Sequence, residues 1–147
     1  MALDRPHIPA EIRRAVFERA LWICEYCRCP EAVGTVSFQV EHIAPHGRGG
    51  TSSLENLACS CPGCNSHKAA RTHSLDPVTG DNVSLFSPRT QRWSEHFAWS
   101  EDYLIIIGLT PVGRATIEAL RLNRPGVQNL RRVLRLDGTH PPLEENL

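Results

Sequence analysis

Two Cys-x-x-Cys pairs, Cys24-Glu-Tyr-Cys27 and Cys61-Pro-Gly-Cys64, bracket residues 24–64. A two-residue spacer lets both thiolates of a pair reach one ion at about 2.3 Å, so each pair supplies two corners of a tetrahedral zinc site. A chain closed this way must bring its two knuckles together, which limits what can lie between them to short strands, turns and one helix start. Six cysteines also raise a disulfide framework, but all of them fall between Cys24 and Cys64. Knuckle spacing, together with an N-terminus that lacks an apolar secretory core, favours zinc. Cys29 and Cys59 stand next to the two pairs and compete for ligand positions. Only Cys24 with Cys27 and Cys61 with Cys64 have the two-residue spacer, and Cys59 reads as a small buried residue of a strand.

The 147 residues, 41% of them apolar, suffice for an ordinary core. The longest apolar run, Tyr103 to Ile107, is far shorter than the roughly 20 residues that span a bilayer. No membrane association and a cytoplasmic location are expected. Net charge is zero, yet its distribution is uneven. Residues 111–135 carry Arg114, Arg121, Arg124, Arg131, Arg132 and Arg135 against Glu118 alone, whereas residues 136–147 carry only acids. A basic segment of this kind attracts phosphate backbones or forms a solvated helix face. Lys68 is the only lysine in the chain.

In order along the chain, Ile12, Val16 and Ala20, with Phe17 and Leu21 beside them, predict an amphipathic helix leading into the first knuckle. Val36, Phe38, Val40 and Ile43 predict a strand that ends at Pro45. His-Gly-Arg-Gly-Gly then forms a loop, Leu54 to Cys59 a second strand, and Pro62 opens a helix. Further on, Val83 to Phe86 and Tyr103 to Leu109 are strand candidates, the second apolar enough for burial on both faces. Trp93, Phe97 and Trp99 are expected to pack onto the zinc module, with base stacking the alternative. Thr110-Pro111 opens a helix through Leu122, Val127 to Leu136 forms a second, basic helix, and the tail from Asp137 is expected to fray. The expected class is α+β: a zinc-stapled ββα core with an N-terminal helix and a C-terminal strand-plus-helix extension, divided as residues 1–75 and 76–147.

Cys-x-x-Cys, then Glu41-His42-Ile43 with Pro45, the Gly-Gly loop, Asn56-Leu57 and Cys61-x-x-Cys64-Asn65-x-x-Lys68 resemble the four-cysteine branch of the HNH endonuclease family. That resemblance implies a ββα-metal (His-Me) finger. It maps the family's first histidine onto His42, its middle asparagine onto Asn56 and its last position onto Asn65, with Glu41 where the family most often has Asp. Asp76-Pro-Val-Thr-Gly, Leu85-Phe-Ser-Pro-Arg, Trp93-Ser-Glu-His-Phe-Ala-Trp and Gly108-Leu-Thr-Pro-Val-Gly-Arg-Ala-Thr-Ile also resemble a recurrent C-terminal extension of small bacterial HNH proteins.

The residues themselves carry the chemistry of phosphodiester hydrolysis. His42, with an ordinary pKa of about 6.5, is a natural general base at neutral pH. Glu41 and Asn65 offer hard oxygen ligands for Mg2+ or Mn2+, and Lys68, one helical turn after Asn65, is expected to contact phosphate. Asn56 is expected to brace the loop and hold His42. His46 and His67 are left as surface candidates, and His7, His73, His96 and His140 as ordinary surface residues. The expectation is a metal-dependent endonuclease on double-stranded DNA leaving 5′-phosphate and 3′-hydroxyl ends, as a monomer or a homodimer. A zinc-stabilised nucleic-acid-binding module without turnover is the alternative, and a thiol redox role lacks the surrounding βαβ pattern.

Overall fold

The computed structural model describes residues 7–143. Helix α1 (Ala10–Arg19) buries Val16 and Phe17. Its side chains also reach the next elements: Arg13 Nη2 donates to the Phe38 carbonyl (3.0 Å), and Arg19 donates to the carbonyls of Leu54 (2.9 Å) and Leu57 (2.7 Å). Strands β1 (Gln39–His42) and β2 (Leu57–Ser60) form an antiparallel ladder in which His42 faces Leu57 and Gln39 faces Ser60. Helix α2 (Pro62–Lys68) follows at once, with Cys61 as its N-cap and Pro62 in its first turn. The class is α+β, and strand, strand, helix is the order the residues imply.

β1 is shorter than the expected run from Val36, because the Phe38 amide is taken by Glu31 Oε2 (3.0 Å) before the ladder begins. A turn at Leu54–Asn56 likewise replaces the start expected for β2. The intervening loop is set by a close approach. The Gly50 amide donates to the Pro45 carbonyl (3.0 Å), and a Cβ at Gly50 would stand 1.7 Å from the Ala44 carbonyl oxygen, so no larger residue fits.

The second half begins with a hairpin that the sequence pattern did not reveal in full. β3 (His73–Leu75) pairs antiparallel with β4 (Asn82–Ser84), so the expected division at residue 75 falls within a paired hairpin. A one-turn helix α3 (Trp93–His96) leads into β5 (Phe97–Trp99), which pairs with β6 (Ile106–Gly108). The run from Tyr103 to Leu109 is not a strand buried on both faces. Only Ile106 is buried, while Tyr103, Ile107 and Leu109 face solvent, because the strand lies in a two-stranded sheet with one covered face. Helices α4 (Pro111–Leu120) and α5 (Pro125–Leu136) complete the chain. Thr110 Oγ1 accepts from the Gly113 amide (3.1 Å) as the expected N-cap of α4, a bond worth about 1 kcal/mol.

One buried cluster joins the halves, running from Val16 and Phe17 through the knuckle cysteines, Tyr26 and Leu57 to Phe86, Trp93, Phe97, Leu120 and Val127. Trp93 and Phe97 belong to this core, as expected, and Trp93 Nε1 donates to the Tyr26 carbonyl within the first knuckle (3.1 Å).

Three surface expectations are overturned. Arg131 is 0% exposed. Its guanidinium donates to the carbonyls of Leu104 (2.9 Å), Leu122 (2.7 Å) and Cys27 (3.3 Å) and to Asn123 Oδ1 (3.1 Å), so it cannot meet a phosphate. His140 is buried as well, donating from Nε2 to the Tyr103 carbonyl (2.7 Å) with its ring edge-on to Trp99. The tail therefore stays folded past Asp137: the Thr139 amide bonds the Leu134 carbonyl (3.0 Å). The rest of the expected fraying, from residue 144, lies outside the described residues. His96 is half-buried, its Nδ1 2.7 Å from Thr110 Oγ1.

Asp76, fully buried, closes the β3–β4 loop and ties it to α4. It accepts from Thr79 Oγ1 (2.8 Å) and the Val78 amide (3.1 Å), and takes both Nε and Nη2 of Arg114 at 2.9 Å. The fork of Arg114 holds the Asp76 carboxyl well below the usual carboxylate range. A depressed folded-state pKa contributes stability that is complete above the unfolded value, about 3.9, and is lost as pH falls through the folded value. Urea unfolding of the parent and of Asp76→Asn should therefore show the largest difference at pH 6–7 and a shrinking one below about pH 4. A constant difference across that range would remove the ion pair from the account.

Candidate active site and metal centre

Cys24 and Cys27 sit in the turn after α1, Cys61 caps α2, and Cys64 lies in its first turn, so the fold of the hairpin carries the second knuckle back to the first. The four Sγ atoms all lie within 4.8 Å of one another, with Cys27 and Cys61 3.7 Å apart. Tetrahedral thiolates at a Zn–S distance of about 2.3 Å stand about 3.8 Å from each other, so the group has the size of a zinc site. Cys29 and Cys59 are buried outside it, in keeping with their expected non-ligand roles.

The electrostatics also call for a cation. Hydrogen bonds from Cys24, Cys27 and Cys64 pull the Cys61 thiol far down. Burial and the neighbouring thiols push Cys24 up, and Cys64 is pushed up by its three sulfur neighbours and by burial. Four thiolates cannot share this space without positive charge. Part of that charge comes from the protein: Arg124 donates to Cys61 Sγ (3.4 Å) and Cys64 Sγ (3.6 Å). The guanidinium lies over Gly63, where a Cβ would come within 2.5 Å of its Nη2.

On β1 the side chains alternate. Gln39 and Glu41 face α2, where Asn65 Nδ2 donates to Gln39 Oε1 and Lys68 pairs with Glu41. Glu41 is 3% exposed and Lys68 1%. Oε2 of Glu41 accepts from the Tyr26 hydroxyl (2.7 Å), and Oε1 lies 2.5 Å from Lys68 Nζ without an aligned hydrogen bond. The ammonium also donates to the Ile43 carbonyl (3.0 Å). Lys68, expected at a phosphate, is thus an internal counter-ion of Glu41. Burial raises the Glu41 carboxyl above its ordinary value, while Lys68 and Tyr26 pull against that rise. Asn65, the other residue expected to hold a hard cation, meets Gln39 rather than Glu41.

His42 stands at the end of β1 on the opposite face, half-buried, with Nε2 3.0 Å from Ser52 Oγ. Burial first, then the charges of His46 and Lys68, lower its pKa from the ordinary value. Asn56 holds the loop beside it: Oδ1 accepts from the Ala44 amide (2.8 Å), Nδ2 donates to the carbonyls of Ala44 (2.9 Å) and Thr51 (2.7 Å), and its own carbonyl takes the Ile43 amide (2.9 Å). These contacts tie Ile43, Ala44 and Thr51 together across the loop, and none of them reaches the His42 side chain. His46 is exposed and His67 half-buried.

Residues 24–71 match the family model for HNH endonuclease. The chain carries an HNH segment with a four-cysteine metal centre. No curated protein and no solved structure matched the chain in the parallel comparisons. An HNH segment supports nuclease-type function and makes nucleic acid a plausible partner. Among the described residues no helix is long and apolar enough to cross a membrane.

Sequence reasoning missed four supporting side chains of the HNH segment: Gln39 on Asn65, Tyr26 on Glu41, Ser52 on His42 and Arg124 on the sulfurs. Gln39 was signalled by its position two residues before Glu41, on the same strand face. Tyr26, between two cysteines of a knuckle, and Ser52, after the glycine pair, had no periodic signal, and Arg124 comes from the far end of the chain.

The metal centre is tested by ligand exchange. Purified parent should carry one zinc per chain, and because such sites contribute about 10–16 kcal/mol to folding, Cys64→Ser should lose both the ion and the cooperative unfolding transition. Cys29→Ser and Cys59→Ser should keep one zinc by mass-spectrometric metal analysis. Loss of zinc from either, with retention in Cys64→Ser, would reassign the ligands.

Proposed function

We propose that this protein is a metal-dependent HNH endonuclease that hydrolyses phosphodiester bonds of double-stranded DNA. The observation that carries the reading is the hairpin end, where His42 and the buried Glu41 occupy adjacent positions of β1 while Asn56 locks the neighbouring loop. When Nε2–H donates to Ser52, the lone pair is left on Nδ1, and this nitrogen takes the proton from the attacking water. The water oxygen forms the new bond to phosphorus as the bond from phosphorus to the 3′ oxygen breaks, which leaves 5′-phosphate and 3′-hydroxyl ends. Ser52 keeps the ring oriented during the transfer, and Asn56 prevents the Ala44–Thr51 loop from drifting out of register. Glu41 and Asn65 would hold Mg2+ or Mn2+, which supplies charge neutralisation at the phosphoryl oxygens and at the departing 3′ oxygen. Tyr26 fixes the Glu41 carboxylate from the zinc knuckle, so the structural and reacting parts of the segment are joined by one hydrogen bond.

The second reading is a zinc-stabilised binding module without turnover. The observation favouring it is Lys68, whose ammonium sits at the oxygen a divalent ion would need.

Supercoiled plasmid with Mg2+, with Mn2+ or without added divalent ion separates the two readings, since the first requires cleavage in the presence of the ion. His42→Ala should keep zinc, fold and DNA affinity but lose about 10²–10⁴ in single-turnover rate, the usual worth of a positioned general base. Cleavage by His42→Ala at the parental rate would place the chemistry elsewhere and favour the binding module.

A further inference from the structure

Residues 24–71 hold four side chains of permanent positive charge, Arg28, Arg48, Lys68 and Arg71. Three of them are turned inward. Lys68 is buried against Glu41. Arg71 donates to the carbonyls of Lys68 (3.4 Å) and Ala119 (2.8 Å). Arg28 is buried over the Trp93 ring, beside the Cys24 and Cys27 thiols. Arg19 and Arg124, which reach the segment from outside, are likewise bound, to the Leu57 carbonyl and to the knuckle sulfurs. Arg48 differs from all of these. It is exposed, and among the described residues its side chain makes no hydrogen bond, ion pair or ring contact.

The backbone of Arg48 is nevertheless held firmly. It ends the short turn His46–Arg48, and its amide donates to the Pro45 carbonyl (2.9 Å), which also takes the Gly50 amide (3.0 Å). Asn56 grips the amide and the carbonyl of Ala44 just before the turn. No residue of the turn is buried, so this bracing serves no packing of its side chains. His46, the first residue of the turn, is close enough for its charge to act on His42. A braced loop that carries exposed basic side chains beside the end of β1 presents them to a partner outside the chain.

Gly47 gives a separate observation. The fold itself needs Gly49, at φ +83°, and Gly50, where a Cβ would meet the Ala44 carbonyl oxygen. It does not need Gly47, whose φ is outside the left-handed region and whose Cβ would meet nothing within 4 Å. Alanine would fit there and would leave the unfolded chain less entropy to lose, so stability alone favours it over glycine. A glycine at an exposed position that the fold leaves open suits the close approach of another molecule.

We propose that Arg48 binds a backbone phosphate of the DNA strand presented to His42, and that this strand crosses the turn over Gly47. The identity of the strand rests on the nuclease reading, and the contact rests on the turn. A guanidinium fork can take two phosphoryl oxygens at once. Arg48 thus makes the phosphate contact that Lys68, paired with Glu41, does not make.

The test uses the full, zinc-loaded chain and a fluorescent DNA duplex without added divalent ion. Arg48→Gln should keep one zinc per chain and the parental melting temperature, because the side chain it removes has no partner among the described residues. It should weaken duplex binding about eight-fold at 0.1 M salt and flatten the slope of log K against log salt by about 0.9, the effect of one lost phosphate contact. Arg48→Lys keeps the charge and should restore the slope. Gly47→Leu should melt no lower than the parent yet bind the duplex more weakly at an unchanged slope, since it obstructs the approach without removing a charge. Arg132→Gln, the same charge change on an exposed residue of α5, should bind as the parent does. Parental affinity and slope in Arg48→Gln overturn the contact, as do an equal loss in Arg132→Gln and a parent that does not bind the duplex. Parental binding by Gly47→Leu overturns the path of the strand. Plasmid cleavage with Mg2+ or Mn2+ decides the nuclease reading separately: a parent that cuts while Arg48→Gln binds normally loses only this contact, and a parent that binds through Arg48 without cutting loses only the nuclease reading.

Discussion

Four sulfur atoms gathered within 4.8 Å of one another fix the position of nearly everything else in this chain. Two of them end the turn after α1 and two begin α2, so the hairpin between them has no freedom to splay. β1 and β2 are only four residues each, and a lone hairpin of that length is marginal in water. Its register, which sets Glu41 toward α2 and His42 away from it, is therefore maintained by the sulfur cluster at one end and by the Asn56 brace at the other. Metal affinity is in this sense folding free energy for the hairpin, and the placement of Glu41 and His42 is inherited from it.

The C-terminal half serves the same centre from outside. Arg124 donates to two of the sulfurs, Arg131 to the carbonyl of Cys27, Arg89 to Glu25, and Trp93 to the carbonyl of Tyr26. Each contact ends on the knuckles or on the residues between their cysteines. An arginine can satisfy several carbonyls and thiolates spread across its planar fork, whereas a lysine's donors all converge on one atom. The single lysine is kept for the one place where a compact point charge meets one carboxylate oxygen. The arginines of the second half thus divide into internal clamps, such as Arg131 and Arg114, and exposed ones such as Arg132, a division that a charge count along the sequence cannot express.

The knuckles, the hairpin order and the loop contacts of Asn56 were legible because each rests on local spacing or on turn chemistry. The same holds for the Thr110 cap and the aromatic core at Trp93 and Phe97. What escaped were pairings between distant residues. Arg131 looked exposed because it is charged, although Val127, Leu130 and Leu134 stand at spacings of four, one and three from it, which puts it inside the apolar stripe of α5. That phase was present in the sequence and was overridden by residue type. The hairpin of β3 and β4 was legible in its turn, Asp76-Pro-Val-Thr-Gly, but not in its first strand, whose three residues alternate too briefly to register. The exposed face of β6 escaped for the opposite reason: a continuous apolar run reads as buried on both sides, and nothing local says that its sheet has only two strands.

The Glu41–Lys68 pair poses the one real conflict between the fold and the chemistry proposed for it. Removing a carboxylate and an ammonium from water is costly, and the attraction between them offsets this only when their remaining valences are met. Here Oε2 is met by Tyr26 and the ammonium by the Ile43 carbonyl, but Oε1 is met by charge alone. A pair left in that condition is better suited to exchange than a fully bonded one, since replacing the ammonium sacrifices no aligned hydrogen bond at the carboxylate. In the nuclease reading proposed above, the cation that replaces it is small and hard, which describes Mg2+ or Mn2+ better than a second ammonium.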